Sequence, residues 1–185
     1  MDAVEKAMAA VPREGFLPAS ERSRASYDGP LPIGHGQTNS QPRTVADTLR
    51  LLAVEPGQRV LDVGSGSGWT TAIAAELVGP NGSVVGVELE PDLVAFGQAN
   101  LAASGRPWAR IEQARGGVLG WPDGAPYDRI LVSAETATLP QELVDQLSET
   151  GRMVVPVHGR LLLVEREGGE VRTSEHGWYR FVPLR

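Results

Sequence analysis

The stretch Val60-Leu61-Asp62-Val63-Gly64-Ser65-Gly66-Ser67-Gly68-Trp69 limits what this chain can fold into more than any other part of it. An apolar strand runs straight into a glycine-rich turn and then into a helix. A parallel strand that ends in glycines lets a ligand come close to the backbone, because no Cβ blocks the path and the next helix offers free N–H groups. Such a junction is a nucleotide-type ligand site, and the spacing narrows the ligand. A dinucleotide fingerprint needs Gly-x-Gly-x-x-Gly, whereas here the third glycine is Gly68 and the bulky Trp69 follows it. A second acid adds to the pattern. The valine-rich run from Ser83 ends on Glu88, twenty residues beyond Gly68, and a carboxylate at the tip of a second strand accepts hydrogen bonds from both ribose hydroxyls. Three glycines alone can be no more than a turn. Together with Glu88 they favour an adenosine.

The Gly-x-Gly-x-Gly spacing resembles the first motif of the class I S-adenosylmethionine-dependent methyltransferases, whose ligand carries a sulfonium and a carboxylate in place of a pyrophosphate. This resemblance implies that Asp62, Gly64, Ser65, Gly66, Glu88 and Leu89 hold S-adenosyl-L-methionine.

At 185 residues the chain suits one domain with a substantial core. The expected division is an N-terminal helix and substrate loop over 1–42 and a cofactor-binding core over 43–185. A formal net charge of −6 argues against a nucleic-acid partner, which calls for a basic face. Lys6 is the only lysine and the arginines are scattered, so no phosphate-reading stripe emerges. The absence of cysteine excludes disulfides, thiolate metal sites and cysteine nucleophiles, and no other metal spacing occurs. No apolar run approaches a membrane span, and Met1 to Lys6 is acidic where a signal peptide would be basic. The expectation is a soluble, cytoplasmic monomer with no membrane partner.

Along the chain, Val4, Ala7, Met8 and Val11 recur at helical spacing until Pro12 stops them. Residues 12–41 hold four prolines and four glycines, too many for a regular helix or a central strand. The anchors Phe16, Leu17, Tyr27, Leu31 and Ile33 make this an ordered, functional loop. Pro42 suits a first helical position, and Val45, Leu49 and Leu52 follow at i, i+4 and i+7, with Pro56-Gly57 as the break. The rest alternates: strand 59–63, helix 69–78, strand 83–88, helix 91–103, strands near 110–114 and at 128–132, and helix 140–147. Asn81-Gly82 is the turn before the second of these strands. Strands separated by helices pair in parallel through right-handed crossovers. Residues 153–157 and 161–166 lie close enough to form a hairpin around His158-Gly159, so the sheet should finish antiparallel. The fold class expected is a doubly wound, mostly parallel α/β sheet.

Three further segments resemble the protein-L-isoaspartate O-methyltransferases. The first is Val11-Pro12-Arg13 with Phe16-Leu17-Pro18, followed by the run from Leu31 to Pro42. The second is Leu119-Gly120-Trp121-Pro122 with the run from Ala125 to Ile130. The third is Gly151-Arg152 leading to Val155-Pro156-Val157, with Arg180 to Leu184 at the end. The run from Leu31 to Pro42 is the most specific, because the methyltransferase fold alone does not require it. The family methylates the α-carboxylate of L-isoaspartyl residues in proteins and peptides, a repair reaction that uses S-adenosyl-L-methionine. Such a carboxylate, with an ordinary pKa of about 4, is already ionised near neutral pH, so attack needs no base. The resemblance implies that Ser40 is the active-site serine, orienting the substrate carboxylate, and that Ile33, Gln37, Thr38 and Asn39 line the substrate site. Ser40 also suits a helix cap, since it stands two residues before Pro42. His35 has no second histidine and no carboxylate nearby in the sequence, and it reads as a loop residue. His158 and His176 read as turn residues, and Trp69 and Trp121 as core or pocket wall.

Two departures from the family stand out. Where its members carry Gly-Asp-Gly, with the aspartate accepting a hydrogen bond from the adenine amino group, this chain has Arg115-Gly116-Gly117. Gly116 and Gly117 are thus expected beside the adenine without the acceptor, at a cost of about 0.5–1.5 kcal/mol unless Glu112 or Gln113 takes its place. The chain also starts near Asp2, where many members carry another helix, so part of the loop's cover is expected to be missing. Two rival readings stay open: a carboxyl methyltransferase dedicated to another peptide or small molecule, and a binding module that has lost turnover.

Overall fold

The computed structural model describes residues 1–185 and builds them around a seven-stranded sheet. The helix α1 (Ala3–Ala10) begins with a capping box. Asp2 accepts from the Glu5 backbone N–H at 2.8 Å, and Glu5 accepts from that of Asp2 at 3.0 Å. Arg50 bridges both carboxylates and so fastens α1 to α2 (Pro42–Leu52). Between these helices lies a small antiparallel hairpin, β1 (Leu31–Gly34) with β2 (Gln37–Asn39), apart from the main sheet. The prolines and glycines rule out a central strand, but they allow these two short edges.

The alternating core follows as β3 (Arg59–Val63), α3 (Trp69–Val78), β4 (Ser83–Glu88), α4 (Pro91–Ala103), β5 (Ala109–Gln113) and β6 (Tyr127–Val132). The first four match the sequence expectation residue for residue, since glycine and proline mark most of their boundaries. α5 (Gln141–Val144) is shorter than the expected helix because β7 (Leu147–Val157) already begins at Leu147. β8 (Arg160–Glu167) forms the expected hairpin with β7. A further strand, β9 (Glu170–Trp178), pairs antiparallel with β8. All nine of its residues are exposed, so no hydrophobic alternation announces it, and His176 lies on this strand rather than in a turn.

The strand order is β5-β4-β3-β6-β7-β8-β9, parallel from β5 to β7 and antiparallel after that. Buried residues of α1, α2 and α3 form one core layer with Leu131, Val154 and Leu161, while Leu61, Val63, Ile130, Val132 and Met153 meet α5 on the opposite face. No helix is long and apolar enough to cross a membrane. Chain order reverses between β3 and β6, and the carboxyl ends of these strands open the crevice in which sheets of this kind bind their ligands.

Candidate active site

The glycine loop after β3 is held from both sides. The backbone N–H groups of Gly64 and Ser65 both donate to the Val87 carbonyl, at 2.8 and 3.0 Å. Gly66 N–H donates to Glu88 Oε2 at 2.9 Å, and Glu88 Oε1 accepts from Leu89 and Glu90 N–H at 2.7 and 3.0 Å. A carboxylate has about four lone-pair sites, so roughly one stays available on Glu88, fewer than the pair of ribose bonds expected from sequence. Gly66 and Gly68 have φ of +52° and +85°. A Cβ on Gly66 would stand 3.2 Å from Ile33 Cδ1, and one on Gly68 would stand 3.0 Å from Ile111 Cδ1.

Asp62 corrects the expectation of a ligand contact. It is fully buried beneath the loop, where Oδ2 accepts from the Thr70 and Thr71 hydroxyls at 2.7 and 2.8 Å and Oδ1 accepts from Ser133 at 3.1 Å. Its carboxylate ties β3 to the start of α3 and to the end of β6. Burial raises its pKa above the ordinary 3.8, opposed by the three hydroxyl bonds and reinforced by the Glu88 charge.

The hairpin lies across this loop. Arg13, only 6% exposed, donates from Nε to Asn39 Oδ1 at 2.7 Å and from its two terminal nitrogens to the carbonyls of Tyr27, Gly29, Asn39 and Ser40. Burial lowers its pKa to about 10, against the attraction of Asp28. Asn39 in turn donates from Nδ2 to Ser67 Oγ at 3.1 Å. Trp69 packs under Arg13, 5.5 Å from ring centroid to Cζ, and its Nε1 donates to Val11 O at 3.0 Å. Ser40 does not cap α2. The N-cap is Gln41 without a side-chain bond, and the Arg43 N–H donates to Asp28 Oδ1 at 3.0 Å instead. That leaves the half-buried Ser40 hydroxyl uncommitted at the cavity wall.

The hairpin tip and the chain's last residues close the far side. His35, at φ +54°, sits 3.0 Å from Asp92 and 3.6 Å from Glu90, so it has two carboxylate partners that its sequence neighbours did not reveal. Arg185 reaches Glu90 at 2.8 Å, and residues 182–184 pair with Glu135 at 2.8 Å on each side. The remaining wall is the loop from Ala114 to Gly120. Gly116 lies there with an ordinary φ and nothing within 4 Å of where a Cβ would stand. Gln113 donates to the Leu89 carbonyl and Glu112 pairs with Arg110, so neither side chain reaches into the cavity.

These walls enclose about 450 Å³, lined by Ile33, Gln37, Thr38, Asn39, Ser40, Gly64, Ser65, Gly66, Glu88, Leu89, Gly116 and Gly117 among others. Every residue expected from sequence at the site is thus brought together except Asp62. Arg13 and the 182–185 segment are gains that sequence reasoning did not assign. Arg13 stands in a family-like segment, but nothing along the chain says that its acceptors lie up to 27 residues away.

The Ser65 hydroxyl is buried with no hydrogen-bond partner, at 4% exposure in the loop that borders the cavity. The Ser65 Cβ lies against Gly86 of β4, beneath the loop, so what the loop turns to the cavity is the bare backbone of Gly64 and Gly66 with Glu88 at the rim, and this lining fits an adenosyl amino acid. The strand order, the glycine loop and the acid at the tip of β4 define a class I S-adenosylmethionine-dependent methyltransferase fold. The profile of the protein-L-isoaspartate(D-aspartate) O-methyltransferase (PCMT) family matches residues 1–185, and the chain belongs to that family. A protein-L-isoaspartate O-methyltransferase of Methanopyrus kandleri is 47% identical over 98% of this chain and 82% of its own length. One of Methanocella arvoryzae is 45% identical over 94% of both. Among solved structures, one from Plasmodium falciparum, described as a protein-L-isoaspartate O-methyltransferase in complex with S-adenosyl-L-homocysteine, superposes with a TM-score of 0.88. It is 29% identical and covers all of this chain and 91% of its own.

Proposed function

We propose that the enzyme methylates isoaspartyl carboxylates at the wall formed by the hairpin and Ser40, with the cofactor seated between the glycine loop, Glu88 and the loop from Ala114 to Gly120. The observation that carries this reading is Ser40, half-buried and with no hydrogen bond to its hydroxyl, lining the cavity together with the glycine loop and Glu88. When bound, S-adenosyl-L-methionine supplies an electrophilic methyl group on a sulfonium. Glu88 would take one ribose hydroxyl with its remaining lone-pair site, the bare backbone of Gly64 and Gly66 would let the amino-acid end approach closely, and Ile33 would shield the loop from water. Ser40 donates a hydrogen bond to the isoaspartyl carboxylate and aligns it. No side chain has to remove a proton, because the nucleophile is already an anion at neutral pH. Positioning in a dry site then supplies several kcal/mol of the barrier reduction.

We take residues 1–185 as one working unit. We take it to act as a monomer, in the cytosol, where the cofactor is made. The test is Ser40→Ala. Its kcat on isoaspartyl peptide should fall about tenfold to a thousandfold, with S-adenosyl-L-homocysteine affinity nearly unchanged. Because Ser40 caps no helix, stability should stay within about 0.5 kcal/mol of wild type. Full kcat in this variant would remove Ser40 from the mechanism.

A further inference from the structure

We infer that Asn39 is a positioning residue for methyl transfer, which sets the place of Ser40 relative to the glycine loop through its bonds to Arg13 and Ser67. The inference rests on the assignment of Ser40 above. Asn39 is 4% exposed, and both ends of its side chain are committed. The guanidinium of Arg13 has donors only, so Oδ1 has to face it and Nδ2 has to face Ser67 Oγ. The amide therefore has one orientation, and its hydrogen bonds fix both distance and angle. Ser40 is next in the chain, and its carbonyl is held at 2.9 Å by the same guanidinium. At the other end, the Ser67 carbonyl accepts from Asn100 Nδ2 of α4 at 3.0 Å. A continuous run of polar contacts thus leads from the segment after α1, through the residue beside Ser40, into the cofactor loop and on to α4.

The Oδ1 end has a structural reason, since it satisfies the buried Arg13 Nε–H, but that pairing does not call for the Nδ2–Ser67 bond, which a carboxylate or another acceptor at this place would lack. Ile33 also touches the glycine loop, 3.2 Å from where a Gly66 Cβ would stand, but an apolar contact tolerates sliding. In-line transfer does not. A displacement of about 1 Å costs on the order of a hundredfold in rate. The Asn39–Ser67 bond is the directional link between the hairpin and the loop, and losing it should misplace Ser40 without emptying either site.

The test is a double-mutant cycle of Ser67→Ala with Ser40→Ala, followed by kcat on an isoaspartyl peptide, calorimetry with S-adenosyl-L-homocysteine and amide hydrogen exchange. Ser67→Ala keeps the Arg13–Asn39 bond and carries the test even if the companion Asn39→Leu does not fold. Ser67→Ala should lower kcat about tenfold or more and leave S-adenosyl-L-homocysteine affinity within about threefold. It should also speed exchange across residues 37–41 by about tenfold, with β3 and β4 unchanged. In the Ser40→Ala background the same substitution should cost less than about twofold, since no hydroxyl is left to align. An equal loss in both backgrounds, unchanged kcat, or unchanged exchange in the hairpin would each overturn the inference. Full kcat in Ser40→Ala alone would instead overturn the assignment of Ser40 and the inference with it, an outcome told apart by the single variant.

Discussion

The two carboxylates at the tips of β3 and β4 behave in opposite ways. Glu88 sits at the cavity with most of its lone pairs spent on backbone N–H groups, whereas Asp62 is sealed beneath it. Burial favours the neutral Asp62 in the folded chain, so folding takes up a proton between 3.8 and the raised value. Asp62's contribution to stability is then fully present below 3.8 and lost as pH rises through the folded value. Urea unfolding of wild type and Asp62→Asn at a series of pH values should show the wild type losing ground as pH rises, and a flat or rising difference would contradict this. Gly116 carries a second prediction at this scale. Its φ is ordinary and its surroundings are open, so Gly116→Asp should fold normally and restore an acceptor for the adenine amino group. The affinity for S-adenosyl-L-homocysteine should rise severalfold, about 0.5–1.5 kcal/mol. Weaker binding with an intact fold would mean that another group already fills that place.

Among the elements, those legible in the sequence are the ones whose ends are marked by backbone chemistry. β3, α3, β4 and α4 run between glycines, prolines and the Asn81-Gly82 turn, and their apolar faces repeat with the right period. β9 escaped because it buries nothing; it exists through its ladder to β8, which composition does not display. The hairpin escaped for the reverse reason. Its prolines and glycines look like irregular loop, and what orders it is Arg13, which draws in carbonyls from residues 27, 29, 39 and 40. The candidate site shows the same split. The glycine loop and Glu88 could be read locally, but Asp62 was misplaced because sequence does not tell which side of a strand tip faces a ligand. The contact between hairpin and glycine loop gives a prediction at this scale. Gly66→Val puts a branched side chain at φ +52° and against Ile33 Cδ1, so it should lift the hairpin and abolish S-adenosyl-L-methionine binding by calorimetry. Wild-type affinity in that variant would contradict the described geometry.

At the scale of the whole molecule, the reversal of strand order between β3 and β6 puts the cofactor loop at the centre of the sheet's carboxyl edge. The hairpin, the Ala114–Gly120 loop and the last residues then wall it in. This division of labour suits a reaction in which the substrate brings its own charge. The scaffold has no proton to move, and what it must do is hold an isoaspartyl carboxylate in line and keep water out. Transfer of labelled methyl from S-adenosyl-L-methionine to an isoaspartyl peptide, compared with its normal aspartyl twin under identical conditions, tests this most directly. The account predicts turnover on the isoaspartyl peptide and, at most, a few per cent of that rate on the twin. Equal labelling of both peptides, or of neither while the cofactor binds, would contradict it.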